Sequence, residues 1–350
     1  MNKSTPKRDR TASEQDSRWA LSLPELQKRC AECGNQEYVI AEFVPLKSVN
    51  ILVGDSGLGK SPFAYQMGIS VASGTAFLAF NVRQGPAIYV DLENGDLQIA
   101  GIASGLCQHL GLQEPPTDLI VLPGFPPNGN IVSELRRTVE RFTPILVVID
   151  SLRAFEPNAE KSNTDAATLI KTLRILTKEF DTSFLSVHHI KKPDTGASLS
   201  SMSLQTDPAM QWLNCACGAR SLINQTDVRL GIEPLNGNEN ADLIVKGFAR
   251  TRGEIGPFYL SRNFAANGEP IGYTLASDVV LLNNDKQLAA FSTLADEFTF
   301  KQAKQSYGRG DQATKDFLQK CIGLGLLTRV SKGQYRKTPS KETGVIGVSK

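Results

Sequence analysis

Residues 49–61 read Val49-Asn50-Ile51-Leu52-Val53-Gly54-Asp55-Ser56-Gly57-Leu58-Gly59-Lys60-Ser61. A short apolar run enters a glycine-spaced turn, and the turn delivers Lys-Ser to the head of a stretch with helical spacing, 61–73. The octad from Gly54 to Ser61 fits G-x-x-x-x-G-K-[ST], and a strand before it with a helix after it is the context that gives the pattern its meaning. Glycines let the backbone wrap a phosphate with its N–H groups turned inward, and the helix N-terminus adds partial positive charge. Lys60 is expected to face the β- and γ-phosphates and the Ser61 hydroxyl to ligate magnesium. Gly54, Asp55, Ser56, Gly57, Leu58, Gly59, Lys60, Ser61 and Pro62 therefore form the expected cradle for ATP and Mg2+. Pro62 falls in the first helical turn, where its missing N–H breaks no bond.

Outward from this turn the chain alternates strands and helices. Apolar runs end at Val53, Leu92, Leu122, Ile149 and Val187, each short and bounded by polar residues or turn formers. Helical stretches such as 132–142 and 165–180 lie between them. That alternation predicts a mainly parallel sheet covered by helices on both faces. Three later runs without intervening helices, VRLGIEPL, ADLIVKGFAR and GPFYLSR, read as antiparallel additions at one edge.

Strand ends supply the remaining candidates. Ile145-Leu146-Val147-Val148-Ile149-Asp150 is an apolar strand closing on a carboxylate, the arrangement that holds magnesium downstream of such a loop. Glu93 ends AIYVDLE; if that strand neighbours the Val49–Val53 run, its carboxylate reaches the γ-phosphate and can deprotonate the attacking water. Asp91 shares its face one pleat further back and is the weaker candidate. His188 and His189 follow SFLSV at another strand end, and periodicity alone does not choose between them.

Hydrophobic content of 41% and charged content of 21% are those of a globular protein, and 350 residues predict about two domains. A net charge of +2 leaves any contact with nucleic acid to local basic clusters. No apolar run reaches the roughly 18 residues of a membrane span, and the polar start lacks a signal-peptide core. The expected location is the cytoplasm. Cys30 and Cys33 form C-x-x-C and Cys215 and Cys217 C-x-C; unmatched spacing and distance along the chain favour plain thiols over zinc. Residues 1–18 read as a disordered leader, 19–48 as an adaptor with a short helix over 23–30, 49–283 as the nucleotide domain and 339–350 as a disordered tail. The Ser/Thr-rich stretch 193–208 reads as a mobile loop.

Residues 286–338 carry a different pattern: apolar spacing over 288–294, a short helix over 300–307, and a longer one capped by Asp311 whose face is Ala313, Phe317, Leu318 and Cys321. Leu326–Val330 and Gln334–Lys337 then flank Ser331-Lys332-Gly333 as a hairpin. Lys315 and Lys320 on the longer helix, with Arg329, Lys332 and Arg336 on the hairpin, suit contacts with DNA phosphates.

Together these residues resemble the RecA-like ATPase core of hexameric replicative DNA helicases, an AAA-type P-loop ATPase of mobile elements close to the small RepA-like plasmid and phage type. The resemblance spans about 49–262. It implies a RecA-like P-loop NTPase of the α/β class with antiparallel edge strands, and residues 286–338 separately resemble a small C-terminal winged helix-turn-helix domain, GLGLLTRVSKGQYRK looking like its helix-to-wing junction. YVDLENGD looks like the strand ending in the catalytic glutamate, which carries that role to Glu93, and ILVVIDSL like the strand whose Asp150 holds magnesium. SVHHIKKPD is similar to the segment that senses the γ-phosphate, which selects His189. FARTRGEIGP resembles the Lys-x-Arg-x-Gly-Pro strand end, implying that Arg252 is an arginine finger and Arg250 its companion, donated to a neighbour in a hexameric ring. The family's channel loop carries Arg-Gly-Ser; here Cys217-Gly218-Ala219-Arg220 puts Cys at the arginine's place, leaving Arg220, with Lys191 and Lys192, to touch single-stranded DNA. The implied activity is ATP hydrolysis driving a DNA translocase or helicase in replication. An ATP-switched initiator or regulator that oligomerises without unwinding is the alternative, and a small-molecule kinase finds no substrate motif.

Overall fold

The structure, a computed structural model, describes residues 21–33, 36–125, 130–190, 202–216, 219–235, 243–265, 270–276, 285–323 and 326–337. The chain divides after Glu37 into two units. The first holds α1 (Leu23–Cys33). Ser22 and Glu25 cap it reciprocally: the Ser22 N–H donates to Glu25 Oε2 at 2.7 Å and the Glu25 N–H to Ser22 Oγ at 3.4 Å.

The second unit opens with β1 (Tyr38–Ile40), β2 (Val44–Pro45), β3 (Val49–Gly54) and α2 (Lys60–Ser73). β4 (Ala87–Asp91), α3 (Asp96–His109), β5 (Leu119–Pro123), α4 (Ile131–Phe142) and β6 (Leu146–Asp150) follow. Then come α5 (Leu152–Phe155), α6 (Asn163–Phe180), β7 (Ser183–His189), α7 (Ala209–Ala216) and α8 (Arg220–Gln225). β8 (Val228–Pro234), β9 (Leu243–Ala249), β10 (Gly253–Phe264) and β11 (Pro270–Leu275) complete the strands of the main sheet. Among the described residues nine strands make one sheet in the order β11-β10-β9-β8-β3-β7-β6-β4-β5.

The helix-separated strands are parallel, as expected, but three expectations are corrected. VRLGIEPL, β8, is not an antiparallel edge strand: it pairs parallel with β3, Gly54 opposite Ile232, and the antiparallel part starts only at β9. The strand leading to Glu93 does not neighbour the phosphate-loop strand either; β7 and β6 stand between β3 and β4. Pro270–Leu275, which the apolar pattern does not mark as a strand, is the far edge of the sheet, paired antiparallel with β10. All three concern pairing between distant segments, which local apolar pattern does not encode.

Strand alternation sorts side chains into two layers. Leu52, Tyr89, Leu146, Val148, Leu185 and Val187 join the core under α2, while Val53, Val90, Ile149 and Phe184 join the core under α4–α6. Gly231 in β8 is a matter of close approach: a Cβ there would lie 2.7 Å from the ring of Trp212, itself 1% exposed.

The far edge strand is fastened back onto α2. Buried Gln66 donates through Nε2 to the Tyr273 carbonyl at 2.9 Å and accepts the Tyr273 N–H at 2.8 Å through Oε1. Phe63 on α2 meets Tyr273 edge-on at 5.5 Å and Phe77 at 5.2 Å, and Phe43 meets Phe258 at 4.9 Å.

Residues 285–337 carry their own core. α9 (Asp285–Thr293), β12 (Glu297–Thr299), α10 (Phe300–Tyr307), α11 (Asp311–Gly323), β13 (Leu327–Ser331) and β14 (Gln334–Lys337) form it, the strands ordered β12-β14-β13. Thr299 and Gln302 make a full capping box on α10. Two expectations about α11 are corrected. Asp311 lies inside its first turn, paired with Lys304 at 2.5 Å, and the buried face uses Thr314 with Phe317, Leu318 and Cys321 while Ala313 is exposed.

Substituting Gln66→Ala strips a buried N–H of its partner and takes one donor from the Tyr273 carbonyl. The expected loss is about 2–3 kcal/mol of stability, read by urea unfolding against wild type; a loss within 0.5 kcal/mol, roughly the scale of a neutral surface change, would show that the fastening is not used.

Candidate active site

The loop between β3 and α2 takes its shape from two left-handed glycines, Gly57 at φ 78° and Gly59 at φ 87°. Gly59 is required twice over, because an added Cβ would come within 2.0 Å of the Tyr273 hydroxyl, which donates to the Gly59 carbonyl at 2.8 Å. Lys60 starts α2 and is buried, its Nζ donating to the Asp55 carbonyl at 2.7 Å. Burial lowers its pKa, and the charges of Asp150, Asp55 and Glu93 oppose that shift. Pro62 sits in the first turn of α2, as its position requires.

Alternation decides which strand-end groups meet this loop. Asp91 and Asp150 are opposite one another in register and share the layer of α2 with Tyr89. Asp150 is fully buried; Oδ2 accepts the Tyr89 hydroxyl at 2.7 Å, and Oδ1 has no hydrogen-bond partner. Burial raises its pKa, the Tyr89 and Ser61 hydroxyls work against that, and Asp91 and Glu93 reinforce it. A buried carboxylate oxygen left free beside the Ser61 hydroxyl suits a hard divalent cation, which takes oxygen ligands and removes the cost of the charge. Among the described residues no group of three or more His, Cys, Asp or Glu could hold a metal alone. Magnesium beside a nucleotide takes one or two carboxylates and completes its shell with phosphate oxygens and water. Cys30 is an exposed free thiol.

His189 falls on the α2 layer with Val187, and His188 on the other. His189 Nδ1 is 3.2 Å from Ser56 Oγ and 3.3 Å from Lys60 Nζ, and its Nε2 is 3.3 Å from Glu93 Oε1. An ammonium only donates, so Nδ1 accepts and the tautomer assigned from the network places the proton on Nε2, facing Glu93. The Ser151 hydroxyl is a second donor to Glu93 Oε1. Although β4 is not beside β3, Glu93 thus reaches the phosphate loop, spanning β7 and β6 through His189. Asp91 is saturated by the N–H groups of Glu93 (3.1 Å) and Asn94 (2.9 Å), the Asn94 amide and the Tyr65 hydroxyl (2.9 Å), so it braces the turn and is not itself a base.

The two arginines are not brought to this edge. Ala249 pairs with Val228, which pairs with Asn50, four residues or about 13 Å below Gly54 at 3.3 Å per residue. Arg250 donates to the Asn224 carbonyl at 2.7 Å. Arg252 is paired with Glu42 Oε2 at 2.5 Å, donates to the Glu42 carbonyl and lies over the Tyr38 ring at 5.3 Å. Arg220 opens α8 beside the first turn of α6, where the Ser221 N–H donates to Asn163 at 3.1 Å. Lys191, Lys192, Cys217 and Gly218 lie outside the described residues. In the C-terminal segment Lys315 and Lys332 are exposed, Lys320 donates to Gln287 at 3.3 Å, Arg329 to the Ser331 carbonyl at 3.4 Å, and Arg336 pairs with Glu297 at 2.8 Å.

Residues 25–195 match the family model of the AAA domain. This AAA domain match spans the phosphate loop, Glu93, Asp150 and His189, and supports P-loop ATPase activity, for which such domains generally use ATP with Mg2+. Among the described residues no helix is long and apolar enough to cross a membrane. Four side chains of the site receive no role from the sequence alone: Tyr65, Tyr89, Ser151 and Tyr273. Tyr89 carries a usable signal, a polar ring two residues before Asp91 on an otherwise apolar strand, and Ser151 directly follows Asp150. Tyr273 has none, since its strand pairs from the far edge.

His188 is 1% exposed, with Glu160 Oε1 3.5 Å from Nδ1 but no hydrogen bond formed there. Burial, and after it the electrostatic influence of His189, Lys60 and Arg153, presses its pKa down to about 4. The unfolded chain therefore takes up a proton between about pH 6.5 and 4 that the fold refuses; this contribution to stability is whole above pH 6.5 and is lost as pH falls through 4. Urea unfolding of His188→Gln across that window is expected to lack this acid-side decline, on the order of 3 kcal/mol in wild type at the low end. Parallel pH profiles for the two proteins would contradict the assignment.

Proposed function

We propose that the chain is an ATP-hydrolysing motor of the RepA-like helicase type, a DNA translocase that works as a ring. The observation that carries the reading is the meeting of Lys60, Ser61, Asp150, His189 and Glu93 at one strand edge. Distances of 3.3 Å link Lys60 to His189 and His189 to Glu93.

In this reading the α2 N-terminus and the Lys60 ammonium hold the triphosphate, with the γ-phosphoryl toward His189. The Ser61 hydroxyl and Asp150 would hold magnesium, which would supply neutralising charge to the triphosphate. Glu93 accepts a proton from water as the water oxygen bonds to the γ-phosphorus and the bond to the ADP oxygen breaks, giving ADP and phosphate. Ser151 and the His189 Nε2–H aim the Glu93 carboxylate, and His189 links it to the phosphate-holding Lys60. Lys60→Ala is expected to remove both nucleotide retention and turnover. Glu93→Gln should keep nucleotide binding while cutting kcat on the order of 10²–10⁴-fold, as measured by phosphate release. Full turnover in Glu93→Gln would remove Glu93 from the role of base.

The DNA part of the proposal rests on the resemblance and on residues 285–337. Their helix, strand, two helices and hairpin follow the order of a winged helix, and Lys315 on α11 and Lys332 at the hairpin tip are exposed. Cations so placed suit the phosphates of a duplex. Replacing Lys315 and Lys332 with Ala is expected to weaken duplex binding and to lower the slope of log K against log salt by about one for each phosphate no longer neutralised. Binding and slope identical to wild type would turn the segment toward protein contacts.

Arg250 and Arg252 lie too far from their own phosphate loop to serve it, so a finger role requires a neighbouring subunit. The ion pair of Arg252 with Glu42 gives the second reading its support: an ATP-switched DNA-binding protein that assembles without unwinding, consistent also with Cys217 at the channel-loop arginine position. Strand displacement on a forked substrate separates the two readings, the motor requiring ATP-dependent displacement that Lys60→Ala abolishes and the switch giving ATP-dependent binding alone.

A further inference from the structure

We infer that Tyr89 and Tyr65 are positioning residues with separate tasks: Tyr89 sets the metal-side carboxylate of Asp150, and Tyr65 sets the Glu93 turn through Asp91. The inference rests on the ATP-site reading above. The two rings stack with centroids 3.5 Å apart and planes 9° apart, Tyr65 from the second turn of α2 and Tyr89 from the middle of β4. Both are 0% exposed. Phenylalanine would fill the same space and keep the stack, so packing does not call for the hydroxyls. A buried hydroxyl is costly unless it is bonded, and each of these is bonded to a different carboxylate.

The consequences for the two carboxylates differ. Tyr89 donates to Asp150 Oδ2 at 2.7 Å and lies 3.3 Å from the Ser61 carbonyl, so one oxygen is tied while Oδ1 stays free. That bond fixes the rotation of the carboxylate and decides which oxygen is open to an ion. Tyr65 donates to Asp91 Oδ2 at 2.9 Å, and Asp91 in turn collects the Glu93 and Asn94 N–H groups. A carboxylate that gathers the backbone of a turn determines where the next side chain starts. Glu93 thereby inherits its place from α2, the same helix that starts at Lys60, and the base and the phosphate cradle share one rigid reference.

The test uses the full chain with Tyr89→Phe and Tyr65→Phe, and Asn94→Ala as a second probe of the Asp91 brace. Manganese binding in the presence of a non-hydrolysable ATP analogue is followed by electron paramagnetic resonance, nucleotide binding without metal by fluorescence, and turnover by phosphate release. Tyr89→Phe is expected to weaken metal affinity by about 10–100-fold, with kcat recovering at saturating metal and metal-free nucleotide binding unchanged. Tyr65→Phe and Asn94→Ala are expected to leave metal affinity alone and to lower kcat by about 10-fold or more, up to the 10²-fold that an ångström of misplacement costs. A merely structural pair would lower both quantities together, in step with the melting temperature, and that outcome would overturn the inference. So would a manganese titration of Tyr89→Phe that superimposes on wild type. Wild-type protein that retains no nucleotide would instead overturn the ATP-site reading itself.

Discussion

The constraint on which the site depends is the two-residue repeat of a β-strand. Every second side chain meets the same helix layer, so the last residue of a strand is committed to one layer by the apolar residues before it. In β4 and β6 that commitment sends Asp91 and Asp150 to the side of α2, and in β7 it sends His189 there and His188 away. α2 begins at the same edge, with backbone N–H groups that its own helix does not use. Carboxylates, imidazole, ammonium and free amides therefore collect in one place from separate segments of the chain, the ends of β4, β6 and β7 and the start of α2. The environments of the paired histidines make the point: His189 lies in a polar chain between Ser56, Lys60 and Glu93, while its neighbour is buried and its protonation suppressed.

Much of this is legible in the sequence because the deciding signals are local. The Gly54–Ser61 octad, the strand ending at Asp150 and the alternation of helix and strand each declare themselves within a few residues. What escapes is non-local. Nothing inside VRLGIEPL tells that it lies parallel to β3, and nothing inside AIYVDLE tells that two strands separate it from the phosphate loop. Glu93 reaches the loop without the strand adjacency expected of it, because His189 fills the gap. Tyr65 is hidden for another reason: α2 is buried on nearly every side, so its polar residues do not stand out against an exposed face.

Residues 285–337 show the same division at smaller scale. Helix spacing locates α10 and α11, but Thr314 rather than Ala313 turns inward, since a threonine hydroxyl can bond the preceding turn, here the Gly310 carbonyl at 3.0 Å, and then tolerate burial. Several basic residues that composition would count toward an electrostatic surface are already engaged. Arg336 answers Glu297 and Lys337 covers the ring of Phe291 at 4.9 Å. Positive charge available to a partner is consequently narrower than the sequence implies.

The Tyr273 hydroxyl on the Gly59 carbonyl has a consequence for the order in which the protein matures. The two residues are separated by 214 positions, and the Gln66 fastening by 207. On the ribosome the phosphate loop emerges long before the strand that steadies it, and contacts of such separation form late. A nascent chain halted before residue 270 possesses the whole octad and yet lacks the brace on its last glycine, so the bond that holds the Gly59 carbonyl forms only with the closing of the sheet's far edge.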